Sequence, residues 1–323
     1  MDEQYTVHLC TGGLAHMLRL IGTSISYSEL TNRKLIIFSE SHHGFQLPFY
    51  QIFNPTNECL IPLKKYEKLV NEYDIHPCVS APNYLKDMTL RYVGSKNLGN
   101  RYILSSSEND YSYSLELDEE QVKKEKFVLT TGQRWANPPL KGQKGSRVLP
   151  ISGGWPTSLR SLSVNSAIIS MAKDRISKIA KKYIAVHYRN TDMKHDIGEI
   201  ISATSEAIDI SGLRDIFLAT DDIDSKERFI EAFPGINIHS FSNIPNLKKL
   251  GQNSIHYMSN IALEKSGLSK RNQIIDALCD IICLQKSTIF IPSKTSAMSQ
   301  IVMYLRDEKE LRHNFLGSGN LDI

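Results

Sequence analysis

The sequence predicts an α/β protein built of two doubly wound, Rossmann-like domains, and three observations predict it. The chain has 323 residues, more than one hydrophobic core usually serves, which favours two domains of roughly 150 residues each. Short apolar runs alternate with helix-period segments, the order from which parallel sheets are wound through right-handed crossovers. Between Arg134 and Ser163 the alternation is broken by Pro138, Pro139, Gly142, Gly145, Pro150, Gly153, Gly154 and Pro156, a concentration of breakers that reads as a loop or interdomain connection. The boundary is therefore placed near residue 164, giving domains 1–163 and 164–323.

Taken in order, the first element is an apolar strand from Tyr5 to Leu9. Thr11-Gly12-Gly13 then turns the chain into a helix whose apolar positions, Leu14, Met17, Leu18, Ile21 and Ile25, recur at helical spacing. A strand from Lys34 to Phe38 completes a βαβ unit. Residues 54 to 125 are rich in Asn, Ser and Lys and only weakly patterned, and a strand returns at Phe127 to Thr130. Past the boundary the pattern sharpens into helix Val164 to Lys181, strand Tyr183 to Tyr188, helix Gly198 to Ile208, strand Asp215 to Ala219, helix Ser225 to Phe233 and strand Ile236 to Phe241. Helix Lys270 to Leu284, strand Thr288 to Ile291 and helix Ser296 to Arg306 follow. No internal repeat or low-complexity tract interrupts them.

Composition narrows the class. With 41% hydrophobic and 23% charged residues the chain is an ordinary globular protein, without a disorder or collagen signature. A net charge of +3 is far below the concentrated positive charge of a nucleic-acid binder, so nucleic acid is not an expected partner. Five cysteines, Cys10, Cys59, Cys78, Cys279 and Cys283, are odd in number and lack CxxC spacing, which indicates neither a disulfide framework nor a zinc site. Reduced thiols in a cytosol are the expectation. The start, Met1-Asp2-Glu3-Gln4, has no signal-peptide character, and no apolar run reaches the ~20 residues that span a bilayer. A cytoplasmic bacterial protein, or a trimmed catalytic domain, is expected, with peripheral membrane association left open.

Ligands of doubly wound sheets sit at the carboxyl ends of the strands, so the residues just after each strand are the candidates. The first strand of the second half ends in His187-Tyr188-Arg189-Asn190-Thr191-Asp192-Met193-Lys194-His195-Asp196. Such a cluster can clamp a diphosphate through the planar fork of Arg189 and supply a base; it also fits a solvated loop with local ion pairs. The second strand leads into Thr220, Asp221, Asp222, Ile223 and Asp224. These residues suit helix capping, a donor or ribose contact, or the DxD spelling of metal-dependent transferases, with capping preferred. In the last unit, Asp280 lies in a helix apolar nearly all round, so it is either paired inside the protein or turned to a ligand. Ser293, Thr295 and Ser296 precede a helix whose first N–H groups make an anion site or a plain cap.

Three blocks, in order, resemble the fucosyltransferase superfamily that includes the nodulation, α1,6- and protein O-fucosyltransferases. Tyr183 to Asp192 is similar to that family's strand ending in His-Val-Arg-Arg-Thr-Asp, Ile216 to Asp222 with Ala232-Phe233-Pro234 to its second block, and Asp276 to Ser296 to its third. Gly12-Gly13-Leu14 and its helix also resemble the start of these enzymes. The likeness covers residues 165 to 305 well and 45 to 160 poorly. It implies the GT-B fold, two Rossmann-like domains facing a central cleft. Residues 1–163 would take a glycan or glycolipid acceptor, and 164–323 a nucleotide-sugar donor. Arg189 would stabilise departing GDP, with donor contacts from Gly12, Gly13, His187, Asp221 or Asp222, Asp280, Ser293, Thr295 and Ser296. Departures are Asn190 in place of the family's second Arg and Met193 in place of its Lys.

The expected reaction is an inverting single displacement transferring fucose from GDP-fucose to a glycan hydroxyl, with Asp196, then His195, then Glu199 as the base, and with neither metal nor cofactor. Two alternatives stand beside it. One keeps the fold but takes another nucleotide sugar for bacterial surface polysaccharide, and the other is a non-catalytic glycan- or nucleotide-binding module.

Overall fold

The computed structural model describes residues 3–10, 13–39, 47–73, 102–105, 127–131, 154–190, 196–244, 246, 263 and 265–317. The chain divides into two compact units, Met1–Ser163 and Val164–Ile323, each built on a four-stranded sheet.

In the first unit, β1 (Tyr5–Leu9) lies between β2 (Lys34–Phe38) and β5 (Phe127–Thr131), and β4 (Tyr102–Ser105) pairs with β5. All three pairings are parallel. The Leu14–Leu30 helix buries Leu14, Met17, Leu18, Ile21 and Ile25, the stripe that the spacing predicts, and so forms the crossover from β1 to β2. A short strand, β3 (Phe53–Pro55), pairs with β6 (Leu162–Val164), and a helix spans Leu63–Tyr73.

The Pro- and Gly-rich stretch does not remain a loop to its end. Trp155–Ser161 is a helix and Leu162–Val164 is β6. Gly154 takes φ 103°, which only glycine adopts cheaply, and Pro156 falls in the first helical turn, where its missing N–H has no partner to lose. Trp155 donates its indole N–H to the Ala15 carbonyl at 2.7 Å, which fastens this helix to Leu14–Leu30.

In the second unit the order is β10 (Ile289–Ile291), β7 (Ile184–Tyr188), β8 (Asp215–Thr220), β9 (Asn237–His239), again parallel throughout. Every residue of β7 is buried, as a central strand covered on both faces requires. Its Ile184 and Val186 share a core with Ile216, Leu218, Phe229 and Ile291. Its described helices are Ser166–Ser177, Ile197–Ser211, Ile223–Ala232, Lys270–Lys286, Ala297–Asp307 and Lys309–Leu316.

The helix expected from Val164 to Lys181 runs from Ser166 to Ser177 instead, because Val164 belongs to β6 and the Asn165 side chain caps the Ala167 N–H at 3.0 Å. β9 is shorter than the apolar pattern from Ile236 to Phe241 predicts. Phe241 leaves the ladder and stacks on Phe217, centroids 6.0 Å apart, and the Ser242 hydroxyl turns to Asp280 at 2.6 Å.

Candidate functional site

Four parallel strands of the second unit deliver their following residues to one edge of the sheet. At the end of β7, Arg189 holds its Nε 3.9 Å from Asp221 Oδ2, both side chains about a quarter exposed. Asp221 Oδ1 accepts the Asn190 backbone N–H at 2.9 Å. The Asn190 amide donates to Asp222 Oδ2 at 3.0 Å and to Ser225 Oγ at 3.1 Å. Asp222 in turn caps the Ile223–Ala232 helix through the Ser225 N–H at 3.2 Å. Capping, preferred for Asp222 on sequence grounds, is therefore what the side chain does. Asn190, which sequence reasoning registered only as a departure, is the residue that laces the β7 and β8 ends together.

On the other side of β7, the turn after β10 carries Ser293, Lys294, Thr295 and Ser296 into the Ala297–Asp307 helix. Ser293 and Ser296 are each 1% exposed, and among the described residues neither hydroxyl has a hydrogen-bond partner. Thr295 is exposed. Ser296 precedes the helix without a side-chain cap bond, so the positive end of the helix dipole and two buried hydroxyls occur in one turn. An unsatisfied buried hydroxyl is uncommon in a native fold and costs free energy until something bonds to it.

His187 ties the two strand ends together. Its Nδ1 is 2.7 Å from Ser299 Oγ, and that hydroxyl accepts the Ser293 N–H at 3.0 Å. Burial first, and then the Arg189 charge, push the imidazole pKa down to about 3. It is a neutral group holding the Ser293 turn, not a titrating acid. Ser299 carried no sequence signal beyond its place three residues after Ser296.

Among the candidate bases, Asp196 is exposed and caps the Ile197–Ser211 helix through the Gly198 N–H at 2.9 Å. Glu199, one turn on, pairs with Lys294 Nζ at 3.0 Å, which brings the start of that helix against the Ser293–Ser296 turn. His195 and Gly12 lie outside the described residues. Gly13, in the first unit, precedes the Leu14–Leu30 helix at φ −83°. Its backbone would accept any residue, so nothing about its dihedrals demands glycine.

Asp280 is paired inside the protein, the first of the two options its helix left open. Oδ1 accepts from Arg175 Nη1 at 3.1 Å and Oδ2 from Ser242 Oγ at 2.6 Å, while Arg175 Nη2 also pairs with Asp276. Burial raises the Asp280 carboxyl to about 7, outweighing the opposing pull of Ser242 and Arg175. Sequence reasoning missed Arg175 and Ser242, whose surroundings carry no spacing signal. Among the described residues no group of three or more His, Cys, Asp or Glu side chains is placed to hold a metal, and no helix is long and apolar enough to cross a membrane.

No family model matches the chain, and no curated protein matches it in sequence. Its backbone, however, is similar to solved fucosyltransferases. Fucosyltransferase NodZ from Bradyrhizobium is 14% identical over 94% of this chain and 93% of its own, with a TM-score of 0.51. POFUT1, in complex with GDP, is 15% identical over 98% and 96%, with a TM-score of 0.54. FUT1 of Arabidopsis thaliana, in a mutant form bound to GDP, is 11% identical over 94% and 69%, with a TM-score of 0.52. The chain has the fucosyltransferase fold. The three sequence blocks run through β7, β8 and β10, neighbours in one sheet.

Proposed function

We propose that the chain is a glycosyltransferase that takes fucose from GDP-fucose and transfers it, with inversion, to a glycan hydroxyl. Residues 164–323 bind the donor and residues 1–163 the acceptor in a GT-B arrangement. The observation that carries the proposal is that Arg189 follows β7 while the neighbouring β10 leads into a helix start with two buried hydroxyls, Ser293 and Ser296, that have no hydrogen-bond partner among the described residues. A diphosphate is a ligand whose oxygens satisfy such hydroxyls and N–H groups while facing a fixed cation. The fold adds weight, since a solved NodZ α1,6-fucosyltransferase was soaked with GDP-fucose and POFUT1 was solved with GDP.

In the reaction, an acceptor oxygen forms a bond to the anomeric carbon from the face opposite the diphosphate, and the bond from that carbon to the phosphate oxygen breaks. The departing GDP gains negative charge. Arg189 and the start of the Ala297–Asp307 helix are fixed where that charge appears, so they lower the barrier without reorganising. The acceptor proton goes to a base, assigned first to Asp196, an exposed carboxylate that accepts the Gly198 N–H, then to His195 and Glu199. Arg189 performs the charge stabilisation, and no metal is assigned to the reaction.

One observation favours a second donor within the same fold. Asn190 occupies the position of the family's second Arg and spends its amide on Asp222 and Ser225, so it presents no cation to a sugar phosphate.

Calorimetric titration of the protein with GDP, UDP and CMP, with and without EDTA, beside Arg189→Ala, tests the proposal. Micromolar GDP binding that survives EDTA and collapses in the variant supports it. Preference for UDP or CMP replaces the donor, and transfer that requires manganese rejects the metal-free mechanism.

A further inference from the structure

The segment that follows β9 is held by contacts that no role so far described uses. Ser242 donates to Asp280 Oδ2 at 2.6 Å and lies 3.4 Å from Arg175 Nη1. Asp280 Oδ1 accepts from Arg175 at 3.1 Å, and Gln273 Nε2, from the same helix as Asp280, donates to the Asn243 carbonyl at 3.1 Å. Phe241 stacks against Phe217 of β8. Three side chains and one ring contact thus fix three consecutive residues, Phe241 to Asn243, at the carboxyl end of the edge strand, along the same sheet edge as Arg189 and Ser293.

The family resemblance gives Asp280 a contact with the donor's base or ribose. The carboxylate in this chain is only 8% exposed, and both its oxygens are already hydrogen-bonded. Arg175 cannot release it without leaving its own charge facing Asp276 alone in a largely buried site, an exchange that costs more than an exposed pair would. A group so committed has little to offer the N–H edge of a base, but it sets the position of whatever hangs from it.

Resting on the nucleotide-donor reading above, we propose that Arg175, Asp280 and Ser242 are positioning residues for nucleoside binding. They hold Phe241 to Asn243 as the wall against which the base packs, and the backbone of that wall, not the Asp280 carboxylate, faces the base. The two roles leave different signatures. A carboxylate that reads guanine discriminates against a base lacking the 2-amino group, and its loss removes that preference. A brace that sets a wall changes affinity for both bases by one factor.

The experiment measures Kd for GDP and for inosine diphosphate, which lacks that amino group, on wild type, Ser242→Ala, Ser242→Thr and Asp280→Asn. The expected result is a rise in both Kd values by the same factor, roughly five- to twentyfold for Ser242→Ala. The Thr variant, which keeps the hydroxyl, should restore affinity, and the ratio of the two Kd values should stay at its wild-type value in Asp280→Asn. In turnover the loss should appear mainly in the donor KM, with kcat changed less. Loss of the GDP preference in Asp280→Asn overturns the proposal and makes Asp280 the reader. Unchanged affinity in Ser242→Ala overturns it too, because the wall then does not depend on the brace. If wild type binds another nucleoside diphosphate instead of GDP, the donor reading fails while the common-factor test is made with that nucleotide; if it binds none, both fall. Should Asp280→Asn fail to fold, Ser242→Ala and its Thr counterpart decide alone.

Discussion

The Asn190 side-chain amide donates to the Asp222 carboxylate at 3.0 Å, across the gap between the end of β7 and the start of the helix after β8. With the Asn190 N–H on Asp221 and the amide also on Ser225, one residue fixes the chain next to Arg189. Asn190→Ala leaves Asp222 with its Ser225 bonds but removes a charge-assisted partner, so unfolding in urea should show a loss of about 1.5–3 kcal/mol. Asn190→Asp is expected to be worse, because it sets a third carboxylate beside Asp221 and Asp222. Equal midpoints for wild type and Asn190→Ala would show that the lacing carries no energy.

Stability should respond to pH in two opposed ways. His8 and His187, buried and each depressed to about 3, take up protons on unfolding below their ordinary value near 6.5 but not in the fold. Their effect is therefore a loss of stability as pH falls from about 6.5 towards 3, at up to about 1.4 kcal/mol per pH unit for each. Asp280, raised to about 7 by burial, acts the other way. The unfolded chain releases that proton near 3.8 while the fold keeps it to about 7, so stability from this group falls as pH rises through that window. Urea midpoints across pH 4–8 should therefore gain a steeper upward slope below 7 in Asp280→Asn than in wild type; parallel curves would mean that Asp280 is ionised in the fold like an ordinary carboxylate.

Gly22 faces Gly154 so closely that a Cβ on Gly22 would stand 1.8 Å from the Gly154 carbonyl oxygen. The atom met is backbone, so no side chain can swing away. Gly22→Ala improves helix propensity by about 1 kcal/mol, yet it must push Leu14–Leu30 off Trp155–Ser161, and overpacking of this kind costs about 1–3 kcal/mol or more. The variant is expected to melt below wild type. A higher Tm would show that the two helices separate freely.

What the sequence made legible follows from which forces are local. β7 and β8 are mostly apolar segments followed by charge, so Arg189, Asp221 and Asp222 could be placed at strand ends from the pattern alone. The Asp222 cap was legible too, since a carboxylate before a helix needs no distant partner. Arg175 was not, because a charged residue in the last turn of an amphipathic helix usually faces water, and only the tertiary approach of helix Lys270–Lys286 reveals its two carboxylates. The Trp155–Ser161 helix was hidden for a related reason. Gly154 and Pro156 break structure in general but begin a helix when they fall at its cap and first turn.

The Ser296 hydroxyl supplies a test in which stability and binding move in opposite directions. It is 1% exposed and lacks a hydrogen-bond partner among the described residues, so the unliganded fold bears the desolvation cost of a hydroxyl that gains nothing in return. Ser296→Ala removes that cost, and the free protein is expected to hold its Tm or gain by up to about 1 kcal/mol. If the hydroxyl completes its bonding on a donor phosphate, the same substitution weakens GDP binding by about 1.5–3 kcal/mol, or roughly ten- to a hundredfold in Kd. The bond in question is made to a charged oxygen. Ser293→Ala should behave alike. Thermal melts with and without saturating GDP read both quantities in one experiment, because a ligand raises Tm only through its affinity for the fold. A variant that melts lower than wild type and binds GDP equally well would make Ser296 a structural residue and move the phosphate elsewhere along the strand ends.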